Sequence, residues 1–168
     1  MRKDSIVLIG MAGVGKSSVG VLLAKALKYA FIDLDEYILQ KDGKTVQQVI
    51  DEGGEEALLK VEKERMYEID LERQVVAPGG SIIYHPDLME YLKKSTTLVY
   101  LEDCYENIAE RVKGDILERG IVGLKSKSLR QIYEERKPLY AKYADITVNC
   151  EGKSWDQIAQ EIMRHYRR

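Results

Sequence analysis

The stretch GMAGVGKSSVG places glycines at 10, 13 and 15 immediately ahead of Lys16 and Ser17. Glycines so spaced free the main chain of side chains and let successive N–H groups aim inward, and the helical pattern that follows adds its positive end. Such a loop holds an anion. Lys16 can then reach terminal phosphates, and the Ser17 hydroxyl can complete a Mg²⁺ shell shared with phosphate oxygens. The full GxxxxGK[ST] pattern lies between the apolar run SIVLI and an amphipathic stretch, the two contexts it requires. Gly10, Met11, Ala12, Gly13, Val14, Gly15, Lys16, Ser17 and Ser18 are therefore the expected nucleotide cradle. A cradle does not specify an acceptor, because phosphoryl transfer needs positioning and charge neutralisation from groups elsewhere in the fold.

Three further stretches could supply those groups. In FIDLDEYI, Asp33 and Asp35 stand two apart at the end of an apolar run. On a strand they would share a face and point into the crevice at the carboxyl edge of a sheet, one toward a metal and the other toward an acceptor hydroxyl. Turn and helix-capping roles are the competing reading. In APGGSIIYHP, Gly79 and Gly80 permit close approach of a ligand to the backbone, and a tight turn would use the same residues. In EERKPLYAKYAD, Arg136 can pair with a carboxylate or phosphate, or can be a solvated helix charge.

Alternation along the chain supplies the frame. SIVLI, AFID, QVVA, TTLVYL and DITVN read as five strands. Helical spacing runs through GKSSVGVLLAKALK, GEEALLKVEKERMYEIDL, PDLMEYLKK, YENIAERVKG, SLRQIYEERKPLYAKY and SWDQIAQEIMRHYRR. This is the βαβ pattern of a parallel sheet covered on both faces. The segment 113–128 is poorly patterned and holds three glycines, so it is either a surface loop or a mobile lid. With 168 residues, of which 45% are hydrophobic, one domain over 1–168 is expected. A net charge of -2 with mixed signs provides no basic field for nucleic acid and no polybasic membrane patch. Cys104 and Cys150 form no CxxC pair, which argues against a disulfide framework or a zinc site. No apolar run approaches the ~18 residues of a membrane span, and a cytoplasmic protein is expected.

Taken in order, GxxGxGKS, FIDLDEYI, GEEALLKVE, the GGS after the third strand, RVKG…ERG and ERKPLYAKYAD resemble the shikimate kinase family over essentially the whole chain. The resemblance implies an α/β P-loop kinase fold, a five-stranded parallel sheet flanked by helices, with ATP and Mg²⁺ at the loop and an arginine-bearing lid. It also implies a small-molecule acceptor and, we expect, a monomer. By similarity Lys16 and Ser17 take phosphate and metal roles, and Asp33 helps organise the metal shell. Asp35 would hold the reacting hydroxyl, Gly79 and Gly80 would line the acceptor pocket, and Arg136 would bind the acceptor carboxylate. Arg119 matches the lid arginine that reaches the phosphates, and Arg111 falls near the adenine-contacting position.

The departures cluster around the acceptor. The family usually has Phe-Arg after GEE, its arginine being a second carboxylate clamp, where this chain has Leu58-Leu59. Lys60 is adjacent, but one helical position turns a side chain by about 100 degrees, so it should point elsewhere. Ser81 stands where a third glycine is usual, and the lid reads RGIV over 119–122. Shikimate, giving shikimate 3-phosphate, is the leading acceptor. Homoserine or a sugar acid such as gluconate is the alternative for the same chemistry, and a non-catalytic nucleotide-binding regulator is the alternative from another class. The tyrosines and the two isolated histidines receive no role.

Overall fold

A computed structural model describes residues 3–167. Five parallel strands form one sheet in the order β2-β3-β1-β4-β5. They are β1 (Ile6–Ile9), β2 (Ala30–Asp33), β3 (Gln74–Ala77), β4 (Thr97–Glu102) and β5 (Ile146–Asn149). Each matches an expected apolar run to within a residue. β1 is central, pairing Val7 with Val76 on one side and with Leu98 on the other. All four of its residues are buried, as befits a strand covered on both faces, whereas the edge strands β2 and β5 keep exposed positions.

The helices are α1 (Lys16–Leu27), α2 (Leu34–Asp42), α3 (Val46–Glu68), α4 (Pro86–Ser95), α5 (Tyr105–Val112), α6 (Leu129–Tyr143) and α7 (Trp155–Tyr166). The last expected helical residue, Arg168, lies outside the described residues. Two helical pieces go beyond the sequence reading. α2 follows β2 without a loop, because Asp33 ends the strand and caps the helix, accepting from the main-chain N–H of Asp35 and Glu36. α3 begins eight residues before the GEE run at a capping box of Thr45 and Gln48, then kinks at Gly54, whose φ of 81 degrees is non-helical. Asp35 is accordingly not on a strand beside Asp33, as the spacing had suggested. It lies in the first turn of a helix.

Both faces of the sheet are sealed by one core in which β1 and β4 meet Leu23, Leu58, Met66, Leu88, Ile108, Tyr140 and Ile158 from six helices. Among the described residues no helix is long and apolar enough to cross a membrane. Cys104 and Cys150 are both free thiols.

Candidate active site

A cavity of about 620 Å³ opens at the carboxyl ends of the strands, where the crossover from β1 runs toward β2 and the crossover from the adjacent β3 runs the opposite way to β4. Its floor is the loop between β1 and α1. Gly13 and Gly15 take φ of 82 and 109 degrees, which a side chain would strain, and a Cβ on Gly15 would strike the Trp155 ring. α1 begins directly at Lys16, so its first-turn N–H groups face the cavity end without partners from within the helix. Lys16 Nζ donates to the carbonyls of Gly10 at 2.7 Å and Met11 at 2.9 Å, which curls the loop around its own cation. Burial, partly opposed by Asp35, lowers the Lys16 ammonium to about 8.

Ser17 and Asp33 meet beside the loop. Ser17 Oγ donates to Asp33 Oδ2 at 2.6 Å, while Asp33 Oδ1 is occupied capping α2. The capping and metal readings of Asp33 are thus compatible, one oxygen for each. A hydroxyl and a carboxylate oxygen in contact at the mouth of a phosphate loop suit a hard cation that keeps waters and shares phosphate oxygens. No group of three His, Cys, Asp or Glu among the described residues could hold a metal alone.

On the acceptor side, Asp35 faces Gly79, where a Cβ would lie 3.8 Å from Asp35 Oδ1 and 3.1 Å from Glu62 Oε1. Surrounding protein and the Asp33 charge, opposed by Lys16, push Asp35 up to about 6. Gly80 is required for space, since a Cβ would sit 2.9 Å from both Arg136 Nη1 and Tyr140 Oη. The two glycines open a 3-10 turn over Gly80–Tyr84, closed by the Ile82 N–H on the Gly79 carbonyl at 3.2 Å, but neither uses a positive φ, so it is close packing that requires glycine there. Arg136 is 1% exposed and therefore no solvated helix charge. Its Nη2 donates to the Val122 carbonyl at 2.7 Å, its Nε to Tyr84 Oη at 3.3 Å, and its guanidinium lies over the Tyr84 ring. Tyr140 donates to the Gly80 carbonyl at 2.7 Å.

The 113–128 segment is a series of turns that roofs the cavity with Asp115, Glu118, Arg119, Gly120, Ile121 and Val122. Ile121 and Val122 are buried, Gly120 abuts Val46, and the Gly123 N–H donates to Glu55. It is thus seated on α3 as a lid. Arg119 lines the cavity but donates to Asp115 at 2.7 Å. Arg111 lies by the loop, bonded to Asp103 at 3.0 Å and to the Gly13 carbonyl at 3.2 Å, with Trp155 5.1 Å beyond it.

Of the residues singled out for chemistry, all but Gly10, Met11 and Val14 line one cavity; Met11 and Val14 are buried in the core, and Gly10 lends its carbonyl to Lys16. The sequence reading missed Glu62, Trp155, Tyr84 and Tyr140. Glu62 closes the GEEALLKVE run, and only the fold reveals that it points inward. Leu59 is half-buried against the core and outside the cavity lining. Lys60 points to solvent near Glu64, as its helical position required.

A phosphate loop ahead of α1, a Ser17–Asp33 hydroxyl–carboxylate pair beside it and a roofed cavity reaching the buried Arg136 are the features of a small-molecule kinase of the P-loop class. The family model for shikimate kinase matches residues 12–167. Shikimate kinase of Persephonella marina is 37% identical over 165 residues, covering 97% of this chain and 99% of the relative. That of Francisella tularensis subsp. novicida is 38% identical over 166 residues, 96% of this chain and 94% of the relative. The structure of shikimate kinase from Acinetobacter baumannii in complex with shikimate superposes with a TM-score of 0.88 at 28% identity, covering 96% of this chain and 92% of that one. The chain belongs to the shikimate kinase family.

Proposed function

We propose that this protein transfers the terminal phosphoryl group of ATP to a hydroxyl of shikimate, giving shikimate 3-phosphate and ADP. The observation that carries this reading is the placement of Asp35, Gly79, Gly80 and the buried Arg136 across one cavity from Lys16 and Ser17. The relatives' activity favours shikimate over homoserine or gluconate, and a regulator that only bound nucleotide would have no use for the acceptor half.

In this mechanism the loop from Gly10 to Ser18 and the start of α1 hold the phosphates, and Lys16 exchanges its two carbonyl partners for them. Arg111 and Trp155 flank the base. Ser17 and Asp33 would hold Mg²⁺, which when bound neutralises charge on the phosphates. Arg136 takes the acceptor carboxylate, and Asp35 orients the attacking hydroxyl and receives its proton. Arg119 turns from Asp115 toward the transferred group while the lid excludes water. The working form is a cytoplasmic monomer with no nucleic acid or membrane partner.

The test is ADP release from MgATP with shikimate, homoserine, gluconate or AMP. Saturable turnover on shikimate, abolished in Lys16→Met, is expected. Turnover on another acceptor with none on shikimate would overturn the assignment.

A further inference from the structure

Glu62 is a carboxylate in the acceptor half that makes no ion pair among the described residues. It is 2% exposed and lines the cavity. Its helical neighbours at i−4, i−3 and i+4 are Leu58, Leu59 and Met66, and Arg65 on the next turn is committed to Asp42 and Glu68. Across the cavity Arg136 is engaged by Val122 and Tyr84. Among the described residues the hydrogen-bond partner of Glu62 is Ser81, whose Oγ lies 2.7 Å from both carboxylate oxygens. A hydroxyl has one hydrogen to donate, so among the described residues both buried carboxylate oxygens share a single donor. Burying an unpaired carboxylate is costly, and taking up a proton is the ordinary escape.

Building on the functional reading above, we propose that Glu62 is a specificity-determining residue that works protonated. Neutral Glu62 leaves the positive charge of Arg136 free for the acceptor's carboxylate, and ionised Glu62 repels that carboxylate. Ser81 poises the switch, because its hydroxyl bond favours the ionised form. The charged and titratable groups facing Glu62 are Asp35 from α2, Lys16 from α1, and Arg136 and Tyr140 from α6. Burial outweighs the lowering by Ser81, Arg136 and Lys16 and pushes Glu62 up to about 7, within the working range of a kinase. A single arginine can therefore hold an anionic acceptor although Leu59 supplies no second cation.

Steady-state kinetics with shikimate at saturating MgATP, from about pH 6 to about pH 8.5, test this. The KM for shikimate should rise roughly tenfold or more across that range, as expected for a group that must be protonated. The KM for ATP should not follow the same midpoint. In Glu62→Gln the rise in shikimate KM should disappear, and in Ser81→Ala it should move to higher pH. A flat wild-type KM, or a Glu62→Gln profile that follows the wild type, overturns the proposal. Should Glu62→Gln fail to fold, the direction of the Ser81→Ala shift decides, and an unmoved or lowered midpoint overturns it. Absence of shikimate turnover at every pH is a different failure, which overturns the functional reading and this inference with it.

Discussion

At the residue scale, two ionisable groups lie across the reaction coordinate with their pKa values drawn toward neutrality. Lys16 is lowered to about 8 chiefly by burial, and Asp35 is raised to about 6 by burial and by Asp33. Asp35 receives a proton only in its ionised form, so kcat/KM for the acceptor should fall as the pH drops through about 6. Asp35→Asn should bind ATP as the wild type does, lose roughly 10²-fold or more in turnover, and leave no acidic limb in the pH profile. Nucleotide-binding calorimetry beside the kinetics checks this, and an Asp35→Asn enzyme with unimpaired turnover would remove Asp35 from its role. Asp33 shows why residue type alone left its role open. One of its oxygens caps α2 while the other meets Ser17, so the capping role leaves an oxygen over for the metal role proposed above.

At the element scale, the site depends on how α3 and the lid meet. The kink at Gly54 divides α3, and Glu55, just past it, accepts from the Gly123 N–H of the lid. That bond, with Gly120 seated on Val46, holds the Val122 carbonyl where Arg136 reaches it. Glu55→Ala should loosen the lid without unfolding the sheet. Amide hydrogen exchange at Gly123 should quicken about tenfold, consistent with losing one charge-assisted bond. Unchanged protection would mean that packing alone seats the segment. The first half of α3 and all of α2 were legible in part. Asp33 with Glu36 three residues on, and Thr45 with Gln48, are helix-start signals, but the apolar run of FIDLDEYI reads as well for a strand. The lid was legible only as a lack of pattern, since its contacts are with residues some 70 positions away in sequence, such as Glu55 with Gly123.

At the scale of the whole molecule, the acceptor pocket draws on the stability of the fold, and pH exposes the cost. Glu62 ionises near 4.5 when unfolded and at about 7 in the native protein. Its contribution to stability is fully present below the unfolded value and is lost as the pH rises through the native one. Glu62→Gln should therefore be more stable than the wild type by on the order of 2 kcal/mol at about pH 8, and nearly equal to it at about pH 4. Urea unfolding at both values checks this, and a gap independent of pH would refute it. The amino-acid sequence by itself determined the nucleotide half, because a phosphate loop is built from contiguous residues whose backbone freedom and charge are local properties. It determined the strands as well, because period and apolarity are read within a few residues. Only the tertiary structure decided the acceptor half. Asp35, Glu62, Gly80, Ser81, Val122 and Arg136 come from five separate segments, and the facts that matter about them arise from what packs around them: the burial of Arg136, the unpaired carboxylate of Glu62 and the space required at Gly80.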